Sequence, residues 1–230
     1  MSASPHDALA ALADELVRAR SVNETVERVT SFSARAFGTG HAGVTLLQDR
    51  ATRFPPAGPT DTLVRQADEL QDVLSEGPCV DAATHGRSVL CNDIGQDLRW
   101  PSWGPRVIRL GFDSILSSAL QGGGRRLGAL NVYGPAGHRF TAEDVELGRA
   151  VAYQASVALR LSEEIEGLRS ALDTRTLIGQ AQGVLIERYA VDADRAFSIL
   201  RRFSQDQNTR LVEIARTIVT EAGNPPPQES

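Results

Sequence analysis

Apolar residues recur at helical spacing in the first part of the chain. Over residues 7–20 they fall three and four positions apart, which predicts an amphipathic helix. Ser21 and Glu24 form a capping box, and this predicts a second helix that ends near Gly38. A proline-rich break then precedes a third helical stretch over residues 61–74. The first part of the chain is therefore expected to contribute several helices.

Four segments rich in β-forming residues predict strands. They cover residues 42–48, 87–92, 112–120 and 126–133. The last two are joined by residues 121–124, a glycine-rich turn that is typical of a hairpin. Helices followed by such a meander indicate an α+β domain, in which helices cover one antiparallel sheet.

A much longer helix is predicted after Thr141, with Asp144 as its capping partner. The helical pattern continues to Glu187 without a proline or a turn signal. Five apolar residues in it alternate steps of three and four, the seam of a two-helix coiled coil: Ala158, Leu161, Ile165, Leu168 and Leu172. This pattern favours a homodimer formed through the helix, and a helix packed on its own domain is the alternative.

Two shorter helices are predicted after the long one. Asp192 is expected to cap the first of them and Asn208 the second. With the end of the long helix they make a module of three helices over residues 161–222. Residues 223–230 include three prolines and are predicted to be a loose, flexible tail.

The composition is that of a globular protein. The chain has 230 residues, of which 41% are hydrophobic and 23% charged, and these proportions exclude a disordered or fibrous chain. Its net charge of −5 argues against binding of nucleic acid by the whole surface. Residues 168–220, however, have eight arginines and six acidic residues, which gives +2 against −7 for the rest of the chain. The carboxyl-terminal end is therefore the more basic part.

The sequence carries no motif for catalysis or for a metal site. It has no GxSxG, no HExxH and no paired His–Asp motif, and its four histidines lie far apart. The glycine-rich stretch over residues 122–128 lacks the lysine and Ser/Thr of a phosphate loop, so it is a turn. We therefore expect no enzymatic activity, no metal and no cofactor.

The two cysteines and the absence of targeting signals define the expected compartment. Neither Cys79 nor Cys91 belongs to a CxxC motif, which favours structural thiols, with a redox-sensing role for Cys79 as the alternative. The sequence has no run of ~20 apolar residues and does not begin like a signal peptide. We therefore expect a cytoplasmic protein that does not contact a membrane.

Four segments resemble, in order along the chain, the GAF sensor domains of actinobacterial regulators. They are EGPCVDA at 76–82, Asn92-Asp93, Arg99-Trp100-Pro101 and LGALNVY at 127–133. The resemblance covers about residues 9–161 and implies a GAF-like sensor domain over residues 1–160. The fold it implies is an antiparallel sheet of six or a similar number of strands, with helices on one face and a pocket on the other.

The resemblance also implies a small effector, which it does not identify. In such a pocket Trp100 and Phe112 would supply apolar walls, and Asp93 and Arg99 would orient the ligand. The alternative is that all four residues are core or loop-anchoring residues.

The carboxyl-terminal module resembles the ANTAR domain, the RNA-binding output module of bacterial transcription antitermination regulators. The matching segments are LDTRTLIGQAQGVLI at 172–186, AFSILRRFS at 196–204 and NTRL at 208–211. They cover about 55 residues. One departure is Ile186, which stands where a methionine is usual and which we interpret as a conservative core exchange.

The ANTAR resemblance implies a set of RNA-contacting residues: Arg175, Gln182, Arg188, Arg201, Arg202, Gln205, Asn208, Thr209 and Arg210. The arginines of the two short helices lie off the apolar stripes, so their guanidinium groups are expected to reach phosphates or unpaired bases. Gln205, Asn208 and Thr209 can add hydrogen bonds to base edges. From charge alone, a solvated helix face is the simpler interpretation, and the resemblance favours RNA.

Together these features predict a GAF–ANTAR regulator that responds to a signal, binds hairpins in nascent transcripts and promotes transcription antitermination. The alternative is a DNA-binding regulator, because three short helices also form a helix-turn-helix. Against it, no helix concentrates Arg, Asn and Gln in its first turn. An enzyme built on the sensor fold is a third possibility, for which no catalytic cluster is found.

Overall fold

The structure is a computed structural model that describes residues 5–47 and 55–223. The chain divides into two units, Met1–Glu164 and Ile165–Ser230. Two sequence predictions extend beyond the described residues. Gln48, at the end of the first predicted strand, is one of them, and the predicted tail from residue 224 onward is the other.

Two capped helices begin the first unit, α1 (Pro5–Val17) and α2 (Val22–Ala36). The hydroxyl of Ser21 accepts a hydrogen bond from the backbone N–H of Glu24 at 3.1 Å, which confirms the predicted cap. The Glu24 carboxylate accepts from the backbone N–H of Arg20, one residue earlier than a regular capping box would have it.

The first unit contains one antiparallel sheet. Its strands are β1 (His41–Leu46), β2 (Pro56–Ala57), β3 (Val89–Cys91), β4 (Phe112–Gly122) and β5 (Arg125–Pro135). The order across the sheet is β2-β1-β5-β4-β3, and every neighbouring pair is antiparallel. The α+β prediction is confirmed, with five strands in the described residues.

The predicted hairpin joins the two longest strands. Gly122 pairs with Arg125 at the end of the ladder, so the turn consists of Gly123 and Gly124. Their φ angles are +57° and +76°. Two consecutive residues with positive φ match the right-handed twist of the strands, and glycine adopts them without steric cost.

Helices cover both faces of the sheet. Side chains of α1, α2 and α6 (Ala142–Tyr189) form one buried cluster with alternate residues of β1, β4 and β5. On the opposite face, α3 (Thr62–Leu74), α4 (Pro78–His85) and α5 (Gly104–Ile108) form a second cluster with the remaining strand residues. The expectation that helices lie on one face only was therefore wrong. It omitted α4 and α5, which are too short to show a helical repeat.

The long helix α6 is capped as predicted. The backbone N–H of Thr141 donates to the Asp144 carboxylate at 2.7 Å, and the backbone N–H of Asp144 donates to the Thr141 hydroxyl at 3.2 Å. The helix has 48 residues, and its residues contribute to both units.

The second unit contains the end of α6 with α7 (Ala193–Asp206) and α8 (Leu211–Gly223), which confirms three helices. Asp192 caps α7 as predicted, since its carboxylate accepts from the backbone N–H of Arg195 at 2.7 Å. The buried residues of this unit are few: Ala181, Leu185, Ala196, Leu200, Ile214 and Ala215.

The prediction that Asn208 caps α8 was wrong. Asn208 has a φ of +48° and lies just beyond the end of α7. Its N–H donates to the Gln205 carbonyl, and the N–H of Thr209 donates to the Ser204 carbonyl. These two bonds form a Schellman motif, in which a left-handed residue satisfies the last carbonyls of a helix. Asn208 therefore ends α7.

Candidate functional sites

Of the four residues predicted to line a sensor pocket, two are buried in the core and two are exposed at the surface. Trp100 and Phe112 are buried in the cluster beneath α3, α4 and α5. The Trp100 indole N–H donates to the Asp81 carboxylate at 3.0 Å. Asp93 is exposed, and its carboxylate accepts from a backbone N–H in its own turn. The roles of Asp93, Trp100 and Phe112 in ligand binding stay predictions.

Arg99 anchors the loop that follows β3. Its guanidinium lies 4.1 Å above the ring of Trp100, pairs with the Asp97 carboxylate at 2.6 Å and donates to the Leu90 carbonyl. Hydrogen bonds from Arg99 lower the pKa of Asp97 to about 2. These contacts suffice to explain Arg99 as a structural residue.

Sequence reasoning missed a buried polar cluster beside these aromatic residues. It consists of Asp68, Gln71, Cys79, Asn131 and Tyr133, which we call the Asp68 cluster. The Asp68 carboxylate accepts from the Tyr133 hydroxyl at 2.7 Å and from the Asn131 amide at 2.9 Å. The Gln71 amide donates to the Tyr133 hydroxyl and accepts from the backbone N–H of Cys79.

The second oxygen of Asp68 is buried without a hydrogen-bond partner in the described residues. It lies against Gly43, where a Cβ would come within 2.4 Å of it. Burial disfavours the charged carboxylate and raises the pKa of Asp68 to about 7, although hydrogen bonds from Tyr133 and Asn131 oppose the rise. Asp68 is therefore a carboxyl group that holds its proton up to near neutral pH.

The thiol of Cys79 is part of the same environment. Its sulfur shares a hydrogen bond of 2.7 Å with the Thr45 hydroxyl. Burial, together with the nearby charge of Asp68, raises the pKa of Cys79 to about 12. Burial also raises the pKa of Cys91, to about 11. Because the thiolate is the reactive form, both groups are held in an unreactive state.

In the second unit, the predicted RNA-contacting residues fall into two groups. One group consists of exposed side chains: Arg175, Arg188, Arg201, Arg202, Gln205 and Arg210. The other three also stabilise the fold. The Gln182 amide donates to the Ala193 carbonyl, Thr209 donates to the Gln207 carbonyl, and Asn208 ends α7.

The adjacent residues Arg201 and Arg202 point in different directions, because successive helical residues are about 100° apart. Arg202 pairs with Asp206 at 3.6 Å. Arg201 has no carboxylate within ion-pair distance among the residues that the structure describes. It shares a face of α7 with Phe197 and Gln205, each four positions away. The double arginine therefore does not form a single clamp.

Several large apolar side chains of the second unit are partly exposed. They are Ile186, Tyr189, Phe197 and Phe203, with exposed fractions between 37% and 57%. The interpretation of Ile186 as a core residue was wrong, because it lies at the surface. Phe197 and Tyr189 were not predicted as part of a functional surface, although aromatic rings beside arginines are suited to stacking on bases.

The predicted dimer seam of α6 is exposed in the single chain. The exposed fractions are 55% for Leu161, 45% for Ile165, 61% for Leu168 and 64% for Leu172, whereas Ala158 is half-buried.

None of the described helices is both long enough and apolar enough to cross a membrane. In the described ranges no three His, Cys, Asp or Glu side chains are grouped so that they would hold a metal ion.

Comparison with known proteins follows the division into two units. The GAF domain model matches residues 19–160, and the ANTAR domain model matches residues 166–219. Over 77 residues the chain is 36% identical to the nitrate regulatory protein of Klebsiella oxytoca. That match covers 34% of this chain and only 19% of the relative.

Solved structures resemble the first unit. The GAF domain of an Acinetobacter phosphoenolpyruvate-protein phosphotransferase has a TM-score of 0.59 at 15% identity, covering 73% of this chain and 99% of that one. The free methionine-R-sulfoxide reductase of Neisseria meningitidis, solved with its substrate, has a TM-score of 0.56 at 16% identity, covering 70% and 90%. At such identities the likeness shows the fold alone. The chain therefore carries a GAF domain followed by an ANTAR domain. It belongs to the GAF–ANTAR family of regulators.

Proposed function

We propose that this protein is a signal-responsive regulator that binds RNA hairpins in nascent transcripts and promotes transcription antitermination. The observation that carries the proposal is the row of Phe197, Arg201 and Gln205 on the exposed face of α7, within the ANTAR match. This row offers an aromatic ring, an amide and a guanidinium that pairs with no carboxylate among the described residues. A splayed base and its phosphate are recognised by these groups.

A binding assay with two probes tests the proposal against DNA binding. The full chain is titrated with an RNA stem-loop and with a DNA duplex of the same stem sequence in a gel-shift series. We expect the RNA stem-loop to bind more tightly, with affinity that falls as salt increases. Equal or tighter binding of the duplex would favour the DNA-binding alternative.

The seam of α6 supports a homodimer as part of this function. Four exposed apolar side chains in a row are costly to leave in water, and a second copy of the helix would bury them. We expect Leu161→Asp with Leu168→Asp to give a monomer. Light scattering at micromolar concentration checks this, and a wild type that is monomeric with and without RNA would refute the dimer.

The signal is proposed to reach the GAF domain through a non-covalent effector or a protein partner. Oxidation of Cys79 is disfavoured because the thiol is buried and its pKa is raised to about 12. The ANTAR match and the similarity to a nitrate regulatory protein support a regulatory role, so we propose that the protein controls transcription without catalysing a reaction.

A further inference from the structure

A cleft of about 660 Å³ opens at the edge of the sheet in the first unit. β3 pairs only with residues 115–117 of β4. Beyond residue 117, this edge of β4 therefore has no neighbouring strand in the described ranges. The cleft lies there, between the turn that joins α4 to β3 and one face of α6. Six polar or aromatic residues line it: Arg87, Ser88, Gln121, Glu146, Arg149 and Tyr153. None of them belongs to the Asp68 cluster.

Hydrogen bonds hold the walls of the cleft together. The Gln121 side chain donates to the Gly86 carbonyl at 3.1 Å, and its backbone N–H donates to the Ser156 hydroxyl of α6 at 2.9 Å. The hydroxyls of Ser88 and Ser118 share a bond of 3.2 Å. The end of β4 is thereby joined to both walls. A site that is already formed loses less conformational entropy when a ligand binds.

The residues that line the cleft carry a formal net charge of +1, from Arg87, Arg149 and Glu146. Arg149 pairs with Glu146 at 3.0 Å, but both side chains are more than half exposed, and such pairs are weak. Arg87 is exposed and has no carboxylate within ion-pair distance in the described part of the chain. Up to Glu164 the chain carries 16 basic and 20 acidic residues. The unit is therefore negatively charged overall, whereas the cleft has two guanidinium groups and one carboxylate. This local excess of positive charge favours an anion.

The ring of Tyr153 adds a second recognition element. It is 70% exposed and lies one helical turn from Arg149 on the same face of α6. An exposed aromatic ring offers a surface on which a planar group can stack. We propose that the cleft binds a nucleotide, a phosphate ester with a planar ring. Arg87 and Arg149 hold the phosphate and Tyr153 stacks on the base.

The size of the cleft and its backbone agree with this ligand. Its volume lies within the range of small-molecule sites. A peptide strand added to the edge of β4 is disfavoured, because the N–H of Gln121 already donates to Ser156. The nucleotide is either free or part of a single RNA strand, and both present the same phosphate and base. The inference does not depend on RNA binding by the second unit.

Calorimetric titration of the full chain with adenosine 5′-monophosphate tests the cleft. We expect binding that is at least about tenfold tighter than that of adenosine or of inorganic phosphate, because each lacks one of the two recognised groups. Arg87→Gln, Arg149→Gln and Tyr153→Ala are each expected to weaken binding by about tenfold. Arg106→Gln removes an exposed arginine of α5 and serves as the matched control, with unchanged affinity expected.

Circular dichroism must first show that the variants are folded, so that a loss of binding is not a loss of structure. No heat of binding at about 10 mM nucleotide, or equal affinity in the control and the three cleft variants, overturns the proposal. A single-stranded oligoadenylate that displaces the nucleotide and is weakened by Tyr153→Ala identifies an RNA strand as the source. If the oligoadenylate does not compete, the ligand is the free nucleotide.

Discussion

The two units place their polar side chains in opposite environments. In the first unit, the Asp68 cluster lies inside the protein, where hydrogen bonds join α3 to β5. In the second unit, six buried apolar residues form a small core and the charged side chains lie outside it. Substitutions in the Asp68 cluster should therefore change stability and its pH dependence. Polar substitutions in the second unit should change binding while the fold persists.

The largest effect is expected from Asp68→Asn. The pKa of Asp68 is about 7 in the folded chain and about 3.8 without burial, so the folded chain holds a proton that the unfolded chain has released. This contribution to stability is fully present below the lower pKa and is lost as pH rises through about 7. The free energy involved is on the order of 4 kcal/mol. An asparagine at this position has no acidic proton to lose, so the variant should lack this dependence.

Denaturant unfolding between pH 4 and pH 8 measures the effect of Asp68. The quantity to compare is the difference between the wild type and the variant, because the contributions of all other titrating groups are common to both proteins. Asp93→Asn removes an exposed carboxyl group and is the control. If wild type and Asp68→Asn lose stability in parallel as pH rises, Asp68 is ionised in the folded chain and our account of the cluster fails.

Leu200→Ala tests the small core of the second unit. Leu200 is fully buried, and truncating a buried leucine costs about 2–5 kcal/mol. Because this core has only six buried residues, we expect α7 and α8 to lose protection from hydrogen exchange while β4 and β5 keep theirs. Phe203→Ala, at a position that is 43% exposed, should cost less. Uniform loss of protection across the whole chain would mean that the two units unfold together.

The two adjacent arginines of α7 are expected to contribute unequally to RNA binding. Arg201→Ala should weaken binding of an RNA stem-loop by about 1–3 kcal/mol and reduce the slope of log affinity against log salt by about 0.7–0.9. Arg202→Ala should have a smaller effect, because Arg202 faces another direction and pairs with Asp206. Unfolding free energy should change little in either variant. Equal losses of affinity in both would mean that RNA contacts both faces of α7.

The sequence predicted those features whose signal lies within a few residues. Asp192 and Thr141 start helices as expected, because a capping side chain bonds to a backbone group three positions away. The Asp68 cluster was missed because Asp68 meets residues more than 60 positions later in the chain. A signal was nevertheless present: Asp68 and Gln71 lie four and seven positions after the buried Val64, on the buried stripe of α3.

The same limit explains the error at Asn208. Asparagine is favoured both before a helix, as an N-cap, and after one, in a left-handed conformation. Helix α7 ends at Asp206 and α8 begins at Leu211, and Asn208 lies between them. The two positions differ in the backbone φ angle of the asparagine, and the spacing of residue types does not predict that angle.

The smallest effect is expected at Asn208, where two substitutions separate folding from binding. Asn208→Ala places a Cβ in a left-handed conformation and should cost about 1 kcal/mol of stability. Asn208→Gly removes the same amide but accepts the positive φ, so the helix end should be as stable as in the wild type. If the amide contacts RNA, both variants lose affinity for the stem-loop by a similar factor. If Asn208 only ends α7, the glycine variant binds like the wild type and any loss in the alanine variant follows its lower stability. Thermal unfolding and stem-loop titration of the two variants, measured in the same buffer, therefore assign Asn208 either to the RNA-binding surface or to the fold.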